Sequence, residues 1–510
     1  MNKKDWLIIA SLAALKLVLP FLLQHPVYEL HRDEYLYFEQ GRHLDFGFLE
    51  NPPLIGFMAS ISSLLGGSFF WIKFWPVLIG AMTIIVTAGV ARELGGKLFA
   101  CIIAALGIMF TAYMRIHFLF QPNALEIFSW TLAGYFLLRY INTHQNKYIY
   151  LLSMALVLGW WSKYSVLFFI IAILISLLLS PYNKLFLKKH FWLASLLGIV
   201  LILPNVIWQY MHNWPLLHHM EELRATQLQY INKSDFIKDQ FLLLFPVVFV
   251  WLGGLVWLLF QHKYRIIAII YLFTVLLIML GSGKAYYTLG AYPMLLAAGG
   301  VWLQRISMER IWLRWFAVAL ILFLSIPFIP VLLPMQPPQK MAVSNKKFKL
   351  DQLGLLKWED LQNHPLQQDF ADMIGWRELA GKAETFFHSL PDTARRNTIV
   401  YCRNYGQAGA LKYYASDPDF KRKVICDNGT FLLWIPDHLQ FKHLLFIGHN
   451  MPGNKDAVFQ HFQRVTIIDS VSNHLSRQYG DKVIFFQNAS DSARQLANTG
   501  IKEVKAEFGQ

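Results

Sequence analysis

Long apolar runs dominate the first two thirds of the chain. From Trp6 to about Leu333 they follow one another, each of roughly 15 to 23 residues, and most could cross a hydrocarbon core of about 30 Å as a helix. The runs are continuous and do not alternate with polar residues, so they predict helices and not the strands of a barrel. We expect a polytopic α-helical membrane protein with about eleven spans: 5–23, 69–91, 98–114, 118–138, 148–162, 165–180, 191–209, 240–260, 266–281, 287–303 and 311–333.

The pattern changes after about Ser344, where polar and apolar residues mix as in a soluble domain. We therefore expect a transmembrane domain over residues 1–340, with a first extracytoplasmic loop at 24–68, and a soluble α/β domain over 341–510. Short apolar runs predict strands at 398–402, 423–426, 432–434, 443–447 and 482–486. The segment Asn404–Ala410 (NYGQAGA) opens a helix through Tyr414; such a start can bind an anion, but close packing is the favoured reason for its glycines.

Composition and charge agree with a membrane protein. The 510 residues are 55% hydrophobic and 15% charged, against about 25% charged in soluble domains. A net charge of +14 would suit nucleic acid, but much of the excess lies in short loops between apolar runs, so we expect no nucleic-acid partner. With the N-terminus inside, every short inside loop is basic: Arg92 and Lys97; Arg139 and Lys147; Lys184, Lys188 and Lys189; Lys263 and Arg265; Arg305, Arg310 and Arg314.

Three carboxylates stand out in the first outer loop. Asp33 and Glu34 lie about ten residues past the first apolar run, and Glu50 follows in the same loop. Charges this close to a membrane helix are costly and often functional, so each is a candidate general base or a residue that orients one. The alternative for the adjacent pair is to cap the next helix. Two helices along the membrane surface, 35–49 and 53–65, would hold all three at headgroup level.

Basic and phenolic side chains on the same outer side are candidates for stabilising a departing phosphate. They are Lys163, Lys284 and Arg115, with the Tyr287 and Tyr286 hydroxyls beside Lys284. The alternative for Lys163 and Lys284 is that each side chain only reaches the membrane interface and has no further function. The alternative for Arg115 is that it anchors a tight turn. The outer histidines His212, His218 and His219 are usually not ligands in such a loop, so no metal site is predicted and any cofactor, including a divalent metal, stays unknown.

Several short motifs, taken in order, resemble glycosyltransferase family 39, the PMT-like membrane glycosyltransferases of the GT-C fold, and most of all its bacterial branch. That branch includes the lipid A aminoarabinose transferase and galacturonosyltransferases. The resemblance covers essentially the whole chain. It rests on 31–35 (HRDEY), 50–53 (ENPP), 159–164 (GWWSKY), 204–209 (PNVIWQ), 212–215 (HNWP), 283–287 (GKAYY) with 292–293 (YP), 375–379 (GWREL) and 404–410 (NYGQAGA).

The resemblance implies a polyprenyl-phosphate sugar as donor and an acceptor that binds from the extracytoplasmic side. It also implies Asp33 as the base or acceptor-orienting residue, Glu50 as the acid before the Pro element, Lys163 and Lys284 at the lipid phosphate, and inversion at the anomeric carbon. Two positions depart from the family pattern. Asn51 stands where the aminoarabinose transferase has a lysine, and Asn123 stands where many relatives have an aspartate, with Glu126 one helical turn on.

We therefore expect a glycosyltransferase, a hexosyl- or pentosyltransferase of the inner (plasma) membrane, with its C-terminal domain extracytoplasmic. It would move a sugar from a polyprenyl-phosphate donor to a lipid, glycan or protein acceptor, in contact with membrane lipids. Two alternatives stay open. A transporter or flippase would carry ionisable groups near the bilayer midplane and inverted repeats, and neither is evident. A non-catalytic scaffold of the same fold would tolerate Asn51 and Asn123.

Overall fold

The computed structural model describes residues 3–226, 232–453 and 457–509. Its N-terminal part is helical. The helices are α1 Lys3–Leu23, α2 Arg32–Gln40, α3 Leu54–Leu64, α4 Phe69–Glu93, α5 Leu98–Met109, α6 Tyr113–Ile116, α7 Asn123–Thr143, α8 Lys147–Ser162, α9 Val166–Leu178, α10 Lys189–Met211, α11 Pro215–Thr226, α12 Lys233–Leu243, α13 Val248–Leu259, α14 Arg265–Leu280, α15 Tyr292–Ile306, α16 Ile311–Ser325 and α17 Ile329–Leu332.

Four helices in the described part of the chain are long and apolar enough to cross a membrane. They are α1, α4, α10 and the Ile311–Leu332 segment, and a fifth span results if α12 and the Phe245–Leu259 segment, bent by 70°, count as one. Each predicted run contains helix, but the expected count of about eleven spans is not confirmed. Turns cut several runs short: α5 ends at Met109, and α15 begins only at Tyr292, with Pro293 in its first turn, a position that suits proline.

Two short helices form the first outer loop. The structure starts α2 at Arg32, earlier than the predicted 35–49, because His31 caps it: its side chain accepts from the Asp33 N–H, and Glu34 accepts from the His31 N–H. α2 ends at Gln40, and Gly41 follows where a Cβ would lie 2.5 Å from the Ser60 backbone nitrogen, so only glycine allows this approach to α3. The second predicted helix, 53–65, is present as α3.

The C-terminal part carries one five-stranded sheet of order β2-β1-β3-β5-β4. β1 pairs in parallel with β2 and β3, and β5 is antiparallel to β3 and β4. The strands are β1 Thr398–Cys402, β2 Val424–Cys426, β3 His443–Gly448, β4 Phe462–Ser470 and β5 Lys482–Ala489, and the helices are α18 Pro338–Lys347, α19 Gln368–Ala371, α20 Trp376–Ser389, α21 Asp392–Arg396, α22 Tyr405–Tyr414, α23 Pro418–Lys423 and α24 Asp491–Glu507.

Four of the five predicted strands are therefore confirmed. The prediction at 432–434 is wrong, because those residues belong to the 3-10 helix Gly429–Trp434, which begins at Gly429 with φ +63°. β4 was missed since it is a largely exposed edge strand with little apolar pattern.

One hydrophobic core joins the first outer loop to this sheet. Tyr35 and Leu36 of α2 pack in the same cluster as Trp376 of α20 and Val400 of β1. The predicted domain boundary after residue 340 stays a prediction, but the C-terminal part is seated directly on the loop that carries the three carboxylates.

Candidate active site

A cavity of about 640 Å³ lies between the first outer loop, α6, α12 and the C-terminal part. Three of the predicted site residues line it: Asp33, Arg115 and Lys284. Further polar groups in the lining are His31, Arg32, Gln121, Asn123, Asp235, Asp239, Tyr286, Glu359, Gln367 and Asp369. The cavity therefore places several carboxylates and cations, Asp33, Arg115 and Lys284 among them, around one space large enough for a small molecule.

Asp33 presents its carboxylate to this cavity from the second position of α2. Its Oδ1 accepts a hydrogen bond of 2.8 Å from the Tyr405 hydroxyl, and its Oδ2 accepts one of 3.1 Å from the Gln121 amide. Burial alone would raise the pKa of Asp33, but the nearby His31, Arg32 and Tyr405 outweigh it and lower the pKa to about 2. Asp33 is therefore a fixed carboxylate at every physiological pH.

Glu34, the other half of the pair, points away from the cavity and is fully buried. Its carboxylate lies 2.6 and 2.7 Å from Nζ of Lys73, which is also fully buried. It also accepts from the backbone N–H of Phe120 at 2.5 Å and of His31 at 2.7 Å. The predicted catalytic role of Glu34 therefore has no support in this geometry: of the two alternatives, Glu34 takes the capping one and Asp33 faces the cavity.

Glu50 contacts the C-terminal part and is not among the cavity residues. Its carboxylate accepts from the Thr430 N–H at 2.7 Å, from the Thr430 hydroxyl, and from the Gln40 amide at 3.4 Å. Burial raises the pKa of Glu50 against these contacts. The adjoining Asn51 exchanges two hydrogen bonds with Gln40 and is buried, so it supplies the site with no charge.

Lys163 borders the cavity through Asn123. Its Nζ donates to Asn123 Oδ1 at 2.7 Å, lies 3.5 Å from Glu126 Oε2, and stands 4.0 Å from the centre of the Tyr287 ring. Asn123 and Glu126, one helical turn apart on α7, thus both contact this lysine. The pairing with Glu126 neutralises part of the Lys163 charge, so this lysine is less available to a phosphate than its position alone suggests.

The two cations in the lining that the sequence singled out differ in their partners. Arg115 forms an ion pair with Asp369 at 2.9 Å and also donates to the Gln367 side chain and to the backbone carbonyls of Val331 and Leu332. The side chain of Lys284 forms no hydrogen bond or ion pair with any residue in the described ranges. Lys284 is therefore, together with Lys357 in the same lining, a cation available to an anion, whereas Arg115 mainly ties α6 to the C-terminal part.

Sequence reasoning missed three residues that the structure puts beside Asp33. They are Tyr405, Gln121 and His31, which contact the carboxyl group or its own backbone N–H. Tyr405 lies in the 404–410 motif and Gln121 two residues before Asn123, but nothing in the sequence shows that they meet α2. For the outer histidines the described residues contain no group of three or more His, Cys, Asp or Glu that could hold a metal ion.

Comparison with known proteins gives three findings. Residues 50–208 match the family described as dolichyl-phosphate-mannose-protein mannosyltransferase, a range that includes Glu50, Asn123 and Lys163 but not Asp33. Over 233 residues the chain is 26% identical to lipid A galacturonosyltransferase RgtD of Rhizobium johnstonii. That match covers 42% of this chain and 47% of RgtD, so the chain spans about half the length of this curated relative.

The third finding is a likeness of fold over nearly the whole chain. The crystal structure of ArnT from Cupriavidus metallidurans bound to undecaprenyl phosphate superposes with a TM-score of 0.61 over 96% of this chain and 99% of that one, at 11% identity. The apo structure of the same ArnT gives a TM-score of 0.60 over 95% and 98%, at 12% identity. At such low identity the likeness establishes the fold and leaves the chemistry to be argued from the site.

Proposed function

We propose that this chain, a PMT-like membrane glycosyltransferase of the GT-C fold, transfers one sugar from a polyprenyl-phosphate donor to an acceptor hydroxyl. The acceptor, a lipid, glycan or protein, would bind on the extracytoplasmic side of a multi-pass inner-membrane protein. The family match and the fold support the donor class, since the matched family is named for a dolichyl-phosphate sugar and ArnT was solved with undecaprenyl phosphate. The name of RgtD, a lipid A galacturonosyltransferase, supports a lipid among the acceptors. The sugar and the acceptor are narrower proposals.

The observation that carries the proposal is the pairing of Asp33 with Lys284 in one cavity. Transfer from a phosphate ester needs a group that accepts a proton and a group that stabilises the leaving phosphate. Asp33 is a carboxylate with an acceptor lone pair to spare, and Lys284 is a cation without a protein partner in the described residues. Both groups line the same space, which supports these two roles.

The reaction is written as one displacement. The acceptor oxygen attacks the anomeric carbon, the bond from that carbon to the phosphate oxygen breaks, and the hydroxyl proton passes to Asp33 Oδ2. Lys284 stabilises the negative charge that develops on the leaving phosphate, and Lys163 and Tyr287 are further candidates for this role. Because the attacking oxygen enters opposite the leaving phosphate, the configuration at the anomeric carbon inverts.

A panel experiment tests this function. Membranes containing the protein are incubated with radiolabelled polyprenyl-phosphate sugars of different kinds, and label is followed into lipid, glycan and protein fractions. We expect one donor to label one fraction in a manner that depends on the protein. A flippase would instead move donor across vesicles without transfer, and a scaffold would do neither, so transfer-free results would overturn the proposal.

Lys284→Gln should raise the KM for the donor by about tenfold or more, because a charge-assisted contact with phosphate is lost. The fold should be unaffected, since Lys284 has no partner among the described residues to lose. KM and kcat are measured against Lys340→Gln, a variant of an exposed lysine on α18 that removes the same charge outside the cavity. An unchanged donor KM in Lys284→Gln would remove this lysine from the phosphate site.

A further inference from the structure

We propose that Tyr405 is a positioning residue for Asp33, so that the C-terminal part completes the active site instead of merely covering it. The Tyr405 hydroxyl holds Oδ1 of the carboxylate and thereby aims Oδ2 at the acceptor. This inference rests on the proposed function above, but one of its tests needs no catalysis.

The two oxygens of the Asp33 carboxylate have different contacts: Oδ1 is held by the protein, and Oδ2 keeps a free acceptor position. Oδ1 receives the Tyr405 hydroxyl at 2.8 Å and lies 3.4 Å from Nε of Arg32. Oδ2 receives only the Gln121 amide, at 3.1 Å, among the residues described. A carboxylate offers about four acceptor positions, so Oδ2 keeps one for a hydroxyl in the cavity. Without Tyr405 the group could rotate and present either oxygen.

The local fold explains how a residue of the C-terminal part reaches this place. Tyr405 is the first residue of α22, and Asn404 caps that helix by accepting from the Gln407 N–H at 3.0 Å. Gly406 and Gly409 let α22 lie against α2: a Cβ on Gly406 would be 2.5 Å from Arg32 Cγ, and one on Gly409 would be 2.7 Å from Tyr35 Cβ. The glycines noticed in the sequence thus serve the packing that delivers Tyr405.

Charge and burial suit Tyr405 to this task. Burial raises the pKa of Tyr405 far above its ordinary value, so the phenol remains a donor at every working pH. Its bond is one of the interactions that keep the pKa of Asp33 near 2. The charged or titratable groups that face Asp33 from the neighbouring elements are His31, Arg32, Tyr37, Tyr286, Asp369 and Tyr405. Of these, only Tyr405 forms a hydrogen bond to the carboxylate from outside α2.

The first test compares Tyr405→Phe with wild type in the transfer assay. We expect kcat to fall by about tenfold to a hundredfold because the base is less well oriented. The donor KM and the binding of undecaprenyl phosphate should be unchanged, because the phosphate contacts lie elsewhere. The matched control is Tyr414→Phe, which removes another hydroxyl of α22 that also contacts α2, at Tyr35 and not at Asp33.

The second test follows thermal unfolding against pH and does not depend on activity. A folded pKa of about 2 for Asp33, below its ordinary 3.8, gives stability that is present above pH 3.8 and is lost as the pH falls towards 2. Tyr405→Phe raises the folded pKa and so removes part of that stability. Its melting midpoint should lie below that of wild type at pH 6, and the gap should close as the pH falls towards 2.

The outcomes separate the two proposals. If wild type transfers sugar and Tyr405→Phe matches it in kcat, the positioning role is refuted and the proposed function stands. A loss of undecaprenyl phosphate binding together with kcat would show a merely structural residue. If wild type transfers no sugar, the proposed function fails, and a melting gap that is independent of pH, or equal in Tyr414→Phe, would refute the link between Tyr405 and Asp33 as well.

Discussion

Asp33→Asn should lower sugar transfer by about three orders of magnitude or more while the protein still inserts and folds. The amide is nearly the same shape and can keep a hydrogen bond to Tyr405, so the cavity should persist. It cannot accept the proton that the acceptor hydroxyl must lose, and removal of a general base typically costs about 10²–10⁴ in rate. The measurement is initial transfer with the donor found by the panel, at saturating acceptor.

Asp45→Asn is the matched control for this experiment. Asp45 lies in the same outer loop and is exposed, and within the described ranges it bonds only the backbone N–H of the next residue, so its variant should transfer sugar at the wild-type rate. Binding of undecaprenyl phosphate to Asp33→Asn should also be normal. Turnover by Asp33→Asn within a few fold of wild type would eliminate Asp33 as the base.

A pKa of about 2 constrains how Asp33 can act. So weak a base does not deprotonate a free hydroxyl, but it accepts a proton once the attacking oxygen has begun to bond to the anomeric carbon and has become acidic. A donor phosphate in the cavity adds negative charge, which raises the pKa of a nearby carboxylate towards a more useful value. Any loss of kcat/KM between pH 5 and 6, which reports the free enzyme, would therefore belong to a group other than Asp33.

The fold was largely predictable because its main signals are local. Continuous apolar runs locate helices, and short β-branched runs located β1, β2, β3 and β5. The errors arose where the local sequence gives only a weak signal for the start of a helix or for a strand. An N-cap histidine at His31 is an unusual choice, so α2 was placed three residues late, and the exposed β4 lacks the apolar alternation of a half-buried strand.

The site was only partly predictable because its contacts join distant parts of the chain. The pair Asp33 and Tyr405 is separated by 372 positions, and Glu50 and Thr430 by 380. Asp33 and Lys284 were predicted as site residues because they are charged and lie on the expected outer side of the membrane, and the two line one cavity. The same criteria also selected Glu34, since nothing in the sequence distinguishes a carboxylate that faces a cavity from its neighbour that faces a buried lysine.

Glu34 and Lys73 connect three elements next to the site. Glu34 belongs to α2, Lys73 to α4, and the Phe120 N–H that also reaches Glu34 belongs to the turn before α7. Gln121, which contacts Asp33, is the next residue in that turn. Since both charged side chains are fully buried, loss of either one leaves the other without its compensating charge.

Lys73→Met should therefore be strongly destabilising, by about 3–5 kcal/mol, the cost found when one partner of a buried ion pair is removed. Methionine nearly matches the length of lysine, so the main change is the missing charge beside Glu34 and not a cavity. Detergent-solubilised protein should show a lower melting midpoint and a shorter half-life at raised temperature, the appropriate measures where unfolding is irreversible. The exposed pair of Arg422 and Asp419 provides the control, because Arg422→Met should cost less than about 1 kcal/mol.

The double variant Lys73→Met with Glu34→Gln separates an ion-pair effect from a packing effect. Removing both charges leaves no uncompensated ion, so the double variant should recover much of the stability that Lys73→Met loses. Its transfer rate should stay below that of wild type, because a neutral amide anchors the Phe120 and His31 N–H groups less firmly than a carboxylate and loosens Asp33. If the double variant is no more stable than Lys73→Met, the lysine contributes through its packing and not through its charge.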